Sequence, residues 1–140
     1  MGAPDDDAGV PGIRRLLTLL LATAAVSYMA LLAAVFVKQR ALLFPAPGVA
    51  HAPSKRFDVV TLPETVLLVR APPSPDAPVV LHFHGNAEQL ADTEWMADAW
   101  ARAGAGFVAV EYPGYGLART SGSPSEESIA RAARAALSYI

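Results

Sequence analysis

The chain opens with one long apolar run before its pattern changes to short segments divided by turn residues. Residues 16–37 contain no charged side chain, and Arg14, Arg15, Lys38 and Arg40 flank them. A helix of this length spans about 33 Å, close to the hydrocarbon thickness of a bilayer. Signal peptides have shorter apolar cores of about 7–15 residues. We therefore predict a transmembrane helix over 16–37, with a cleaved signal sequence as the alternative.

Around this run the sequence predicts a short disordered tail, a linker and a domain. Residues 1–15 include an acidic cluster, and residues 38–56 are rich in proline and alanine. From residue 57 the pattern changes to strands. Two β-branched runs broken by Pro63-Glu64 predict an antiparallel hairpin over 57–69.

Two apolar runs, 79–83 (continuous apart from His82) and 107–110, predict buried strands covered on both faces. Between them, Asn86 and Gln89 have the spacing of a helix N-cap and its capping-box partner. A second helix start is predicted at Ser123, which would be the N-cap, with Pro124 at the first helical position and Glu126 at the third. Its apolar stripe continues to residue 140 without a stop signal, so we expect residues 57–140 to be the first part of a longer domain.

This order of elements predicts an α/β fold: an antiparallel hairpin, then parallel strands alternating with helices, preceded by one transmembrane helix. The composition excludes several classes of function. The net charge of −2 gives no basic surface for nucleic acid. The absence of cysteine removes disulfides, thiolate zinc sites and a cysteine nucleophile. The flanking charges of the apolar run balance two against two, so the side of the membrane stays undetermined.

The candidate chemistry follows the 79–83 run, in the segment His82-Phe83-His84-Gly85-Asn86-Ala87. A strand, a glycine turn and a helix start would leave a backbone N–H unpaired and directed at a bound anion. His82 and His84 share one strand face, which could be half of a metal site. Metal sites of this type continue with further ligands such as Asp-His, and here Asn86-Ala87 stands in that place. We therefore expect no metal, and no motif indicates a cofactor.

Three linked motifs carry a resemblance to a known family: the segment above, Glu111-Tyr112-Pro113-Gly114-Tyr115-Gly116, and Ser121-Gly122-Ser123-Pro124-Ser125-Glu126. Together they resemble the α/β-hydrolase superfamily, and within it the membrane-anchored serine hydrolases with an H-G-N-A loop. The likeness covers roughly residues 42–140. One position departs from the family pattern, which usually has aspartate where this chain has Glu111.

The resemblance implies an eight-stranded sheet and a Ser-His-Asp triad that hydrolyses an ester, thioester or amide of a small acyl substrate. It implies that the main-chain N–H of Asn86, beside Gly85, belongs to the oxyanion hole. From their positions at the strand ends, we expect His84 to bond the loop backbone and Glu111 to hold the following turn. No G-x-S-x-G pattern occurs among the 140 residues. We therefore expect this chain alone to be inactive, with its triad positions beyond residue 140.

A second hypothesis keeps the same fold without catalysis. A single-pass membrane protein without a nucleophile could bind a partner through the open edge of its sheet. In both hypotheses the lipid bilayer is the expected surroundings of residues 16–37.

Overall fold

The computed structural model describes residues 10–140, so residues 1–9 of the predicted tail lie outside it. The chain divides into two units between Gln39 and Arg40. The first unit contains most of one helix, and the second contains a sheet with its helices.

The first helix, α1, runs Val10–Leu43 and is longer at both ends than the predicted 16–37. Residues 10–15 are not a disordered tail, and residues 38–43 are not linker. Residues 38–43 are all good helix formers, and at the other end Pro11 lies in the first turn of the helix, where proline is tolerated. The helix ends just before Pro45, because the residue preceding a proline is kept out of the helical conformation.

Helix α1 is long and apolar enough to cross a membrane. The candidate span Gly12–Leu43 contains a window with a mean hydropathy of 2.2, and none of that window is buried. A signal sequence near the N-terminus would meet the same criteria of length and composition.

The second unit is built on a mixed sheet of four strands. They are β1 (Asp58–Thr61), β2 (Val66–Arg70), β3 (Val79–Phe83) and β4 (Gly106–Val110), in the order β1-β2-β4-β3. β1 and β2 form the predicted antiparallel hairpin, and β2 also pairs with β4 in antiparallel fashion. β3 and β4 are parallel. The predicted α/β class is confirmed at this level.

One helix packs on each face of the sheet: α2 (Glu94–Arg102) on one and α3 (Glu126–Tyr139) on the other. Side chains alternate along a strand, so β2 and β4 supply residues to both layers. On the α2 side, Leu68 and Phe107 pack with Ala97. On the α3 side, Leu67 and Val108 pack with alanines of α3. All five residues of β4 are buried, as its apolar run predicts.

The prediction that β3 is a buried strand covered on both faces is confirmed only in part: Val80 packs on the α2 side and Val79 and Leu81 pack on the α3 side, but each is only half-buried. β3 lies at the edge of the sheet, its first four residues are half-buried, and Phe83 is exposed. The backbone N–H of Gly106 donates to Pro78 O, so Pro78, Val80 and His82 are the residues whose backbone groups face β4. The backbone groups of Val79, Leu81 and Phe83 therefore face the open side.

The predicted helix start at Asn86 is also wrong. The chain makes a turn at 85–88, then a 3₁₀ segment Leu90–Thr93, and α2 begins at Glu94. Gln89 cannot complete a capping box for Asn86, because its side chain is used elsewhere. Its Oε1 accepts from His51 N and its Nε2 donates to Val49 O.

The cap of α3 is Ser125 rather than the predicted Ser123. Ser125 Oγ accepts from the backbone N–H of Ser128, and Ser128 Oγ accepts from Ser125 N. A Cβ on Gly114 would lie 2.6 Å from Pro124 Cδ, which shows how closely Pro124 packs against the loop after β4. That contact keeps Pro124 outside the helix and moves the start by two residues.

Candidate functional site

The candidate site lies where two neighbouring parallel strands end. β3 leads into His84 and the turn at 85–88, and β4 leads into Glu111. The carboxyl ends of parallel strands meet at one edge of a sheet, where ligands of open α/β sheets bind. The structure thus brings together His84, Gly85, Asn86 and Glu111, which lie up to 27 residues apart in the sequence.

The 85–88 turn is fixed by local bonds at both ends. The backbone N–H of Glu88 donates to Gly85 O at 3.3 Å, and Glu88 Oε2 accepts from Gly85 N at 2.7 Å. Ala87, the third residue of the turn, has a φ of 63°. A left-handed backbone costs a residue with a side chain roughly 1–2 kcal/mol. The turn is therefore a specified conformation rather than a relaxed loop.

The N–H of Asn86 points away from the bonds that hold the turn. It shares one peptide plane with the Gly85 carbonyl, and in a trans peptide the two groups point in opposite directions. Gly85 O accepts from His84 Nδ1 at 3.0 Å and from Glu88 N. Asn86 is exposed, and within residues 10–140 no acceptor is bonded to its N–H. This donor is available to an outside oxygen atom.

A buried pair of ionisable side chains supports the turn from below. His84 Nε2 lies 2.9 Å from Glu111 Oε1, and both side chains are fully buried. The second carboxylate oxygen of Glu111 accepts from the backbone N–H of Leu90 at 3.3 Å and of Leu117 at 3.2 Å. Glu111 thus links the end of β3 to the 3₁₀ segment before α2 and to the turn after β4.

Two tyrosines complete the surroundings of His84, and the sequence did not single them out. The Tyr112 ring lies 4.2 Å from the His84 ring between centroids, and its hydroxyl donates to His84 O at 2.8 Å. The Tyr115 ring lies 5.6 Å away. Burial raises the pKa of both tyrosines, and at Tyr112 the charges of Tyr115, Glu88 and Glu111 add to this rise in pKa. Only the E-Y-P-G-Y-G motif could have signalled them.

His82 does not join His84 in a site. Its ring packs on Phe107, with 5.6 Å between ring centroids, and its Nε2 is buried without a partner in the described part of the chain. Burial lowers the pKa of His82, as does the charge of His84, while Glu88 opposes this shift in pKa. Among the described residues, no group of three His, Asp or Glu side chains could hold a metal ion.

The segment after α1, predicted as a linker, is bonded to the loops around the site. Asn86 Nδ2 donates to Leu43 O at 3.3 Å. Arg119 donates to Pro47 O at 2.6 Å and to Gly48 O at 3.1 Å. These acceptors are backbone carbonyls, which carry no signal in the sequence.

A groove of about 600 Å³ opens beside this attached segment. Its wall is mostly apolar with one cation, formed by Arg40, Ala41, Phe44, Pro45, Ala46 and Pro124. This volume is within the range of ligand pockets.

Comparison with known proteins adds no relative. A scan against models of protein families, a search of curated proteins and a search of solved structures each found no match to this chain. What the site can do therefore follows from its own geometry. An exposed, unpaired N–H on a turn supported by the buried His84–Glu111 pair can donate to an oxygen atom of a ligand.

Proposed function

We propose that the chain is the N-terminal part of a membrane-anchored serine hydrolase of the α/β-hydrolase fold. It would act on an ester, thioester or amide through an acyl-enzyme. The observation that carries the proposal is the free, exposed N–H of Asn86, at the carboxyl end of a parallel strand pair. The three motifs described above support it by resemblance.

The N–H of Asn86 would act on the tetrahedral intermediate. Attack by serine on the acyl carbon places a negative charge on the former carbonyl oxygen. Asn86 N–H and the N–H after the nucleophile would donate to that oxygen, while histidine takes the serine proton. One such donor is worth about 3–4 kcal/mol of transition-state stabilisation. Because the 140 residues hold no G-x-S-x-G, the proposal requires a nucleophile from outside them.

The open edge of β3 agrees with this requirement. In the superfamily that the chain resembles, the strand that corresponds to β3 pairs with a later strand, which carries the nucleophile. Val79, Leu81 and Phe83 direct their backbone groups to the open side, where such a strand would add. An added parallel strand would place its own carboxyl end beside Asn86.

Anchoring by α1 would hold the site near the bilayer. Leu43, whose carbonyl accepts from Asn86 Nδ2, lies six residues after Val37, the end of the apolar run. Even fully extended, six residues span only roughly 20 Å. The acyl group of a membrane-associated substrate could therefore reach the turn, and the apolar groove beside Phe44 could hold its chain.

The first test reads the coding region beyond codon 140. We expect the frame to continue into a G-x-S-x-G pattern, followed by an acidic residue and a histidine. A stop codon directly after codon 140 would remove the nucleophile and contradict the hydrolase proposal.

The second test removes the donor from the protein encoded by the whole reading frame. Asn86→Pro deletes the N–H, and proline suits the second position of a turn whose third residue is left-handed. Gly85 tolerates a following proline because it has no Cβ. We expect kcat for a p-nitrophenyl ester to fall by about 10²–10³-fold.

The matched control is Asn86→Ala, which removes the side-chain bond to Leu43 and keeps the backbone N–H. Its kcat should stay within a few-fold of the parent value. Equal activity in Asn86→Pro and the parent enzyme would show that Asn86 N–H has no part in catalysis.

The partner-binding function is the second candidate, and the unpaired edge of β3 favours it. It would be preferred if the reading frame stops at codon 140. In that case a strand-forming peptide should slow hydrogen exchange at the amides of Val79, Leu81 and Phe83, and a peptide of equal length with proline at alternate positions should not.

A further inference from the structure

We infer that His84 is a buried imidazolium, paired with an ionised Glu111, and that its charge positions the Asn86 peptide. The role of His84 is then to orient the Asn86 N–H through its charge, and not only to fill space beneath the turn. The protonation state stands on the contacts alone, and only its effect on catalysis rests on the proposed function.

Hydrogen-bond roles determine how many protons the pair holds. A carbonyl oxygen can only accept, so the 3.0 Å contact with Gly85 O places a proton on His84 Nδ1. The 2.9 Å contact between His84 Nε2 and Glu111 Oε1 needs a second proton. Without it, the lone pair of a neutral imidazole would face a carboxylate oxygen inside the protein.

The surroundings place that second proton on His84 rather than on Glu111. Glu111 Oε2 accepts from two backbone N–H groups, those of Leu90 and Leu117, and such bonds favour the ionised carboxylate. The rings of Tyr112 and Tyr115 lie beside the imidazole, and aromatic rings attract a cation.

The other ionisable groups nearby belong to the turn and to β3. Glu88 is exposed, and its carboxylate accepts from Gly85 N, so it adds negative charge on the same side. His82 lies two residues back on β3, with its pKa lowered by burial. Neither group opposes a positive charge on His84 at neutral pH.

The charge on His84 would act on Asn86 through one shared peptide. A charged Nδ1–H is a stronger donor than a neutral one, so it holds the Gly85 carbonyl more firmly. That carbonyl and the Asn86 N–H are opposite ends of the same plane. Fixing the carbonyl inward therefore fixes the N–H outward, toward the position proposed for the oxyanion.

The test is ¹⁵N NMR of the full chain in detergent micelles, labelled on histidine. The chain has three histidines, and the variants His51→Asn and His82→Asn assign the rings of His51 and His82, which identifies the remaining ring as that of His84. At pH 7.5 we expect protons on both ring nitrogens of His84. The ring of His82 should carry one proton and serves as the internal reference for a neutral imidazole.

Glu111→Gln gives the decisive comparison. Its amide oxygen can accept from Leu90 and Leu117, and its NH₂ can donate to His84 Nε2, so every buried bond is kept with a neutral His84. We expect the imidazolium signature of His84 to disappear. Glu88→Gln, the matched control, removes a nearby charge outside the pair and should leave that signature unchanged.

A neutral His84 in the parent chain would overturn the inference, and so would an imidazolium that survives in Glu111→Gln. If Glu111→Gln fails to fold, the parent spectrum still decides. In the enzyme from the whole reading frame, Glu111→Gln should lower kcat roughly tenfold with little change in KM. Loss of the imidazolium without this effect would contradict the catalytic role alone.

Discussion

Gly116 lies against the carboxylate that holds the candidate site together. A Cβ added at this position would lie 2.1 Å from Glu111 Oε2, and the backbone φ is +34°. The space for the carboxylate therefore exists only because residue 116 has no side chain. A role of this kind follows from tertiary contact, and the sequence shows only a glycine in a turn.

We predict that Gly116→Ala destabilises the domain by about 2–4 kcal/mol, through overpacking against Glu111 and a strained backbone. Urea unfolding of the full chain in detergent, followed by tryptophan fluorescence, measures this loss. Gly104→Ala is the control, because Gly104 also has a positive φ of +82° but open space around it. It should cost only about 1 kcal/mol. Equal losses of stability in the two variants would show that a side chain at residue 116 does not clash with Glu111.

Among single residues, the sequence identified the members of the site better than their contacts. It placed His84, Gly85, Asn86 and Glu111 at the ends of two strands, and all four lie there. It did not predict that Tyr112 and Tyr115 enclose His84. Ring contacts depend on how the turn after β4 folds back over β3, which no local pattern encodes.

At the scale of elements, the start of α3 shows two local signals in competition. Ser123 and Ser125 each stand three residues before a side chain that can complete a capping box. The packing of Pro124 beside Gly114 selects Ser125. Local propensity offered two starts, and a tertiary contact chose between them.

We predict that Ser125→Ala lowers the free energy of unfolding by about 1 kcal/mol, the usual cost of a lost N-cap. Ser123→Ala should change it by a few tenths of a kcal/mol, because Ser123 contributes its backbone carbonyl to Ser128 Oγ and alanine retains that group. The same urea unfolding experiment compares the two variants. A larger loss in Ser123→Ala would restore the cap position suggested by the sequence alone.

The strands show the same division between local and long-range information. Apolar runs located β3 and β4 to within one residue, because a strand packed on both faces needs apolar side chains at successive positions. It could not tell an edge strand from a central one. β3 and β4 carry similar apolar runs, yet only β4 has a strand on both sides.

At the scale of the whole molecule, the apolar run of α1 predicts that the chain stays in the membrane. After expression and an alkaline carbonate wash, we expect the chain to remain in the membrane pellet with its N-terminal residues intact by mass spectrometry. A Leu20→Asp, Val26→Asp double variant should be released, because each central charge costs about 2.5–3.5 kcal/mol.

Leu42→Asp with Val49→Asp is the control for this prediction. It adds the same two charges outside the apolar run, at positions that are also exposed, and should leave the chain in the pellet. A mature chain that begins near residues 49–52 would identify the run as a cleaved signal sequence instead.

By itself, the sequence determined the long apolar helix, the hairpin, the strands that flank the site and the two loops that form it. These features depend on neighbours a few residues apart: hydrophobic spacing, prolines and glycines. Only the tertiary structure decided the order of the sheet, the edge position of β3, the His84–Glu111 pair and the attachment of residues 43–51 beside Asn86. Each of these needs a partner far away in the chain, so its energy is absent from any local window of the sequence.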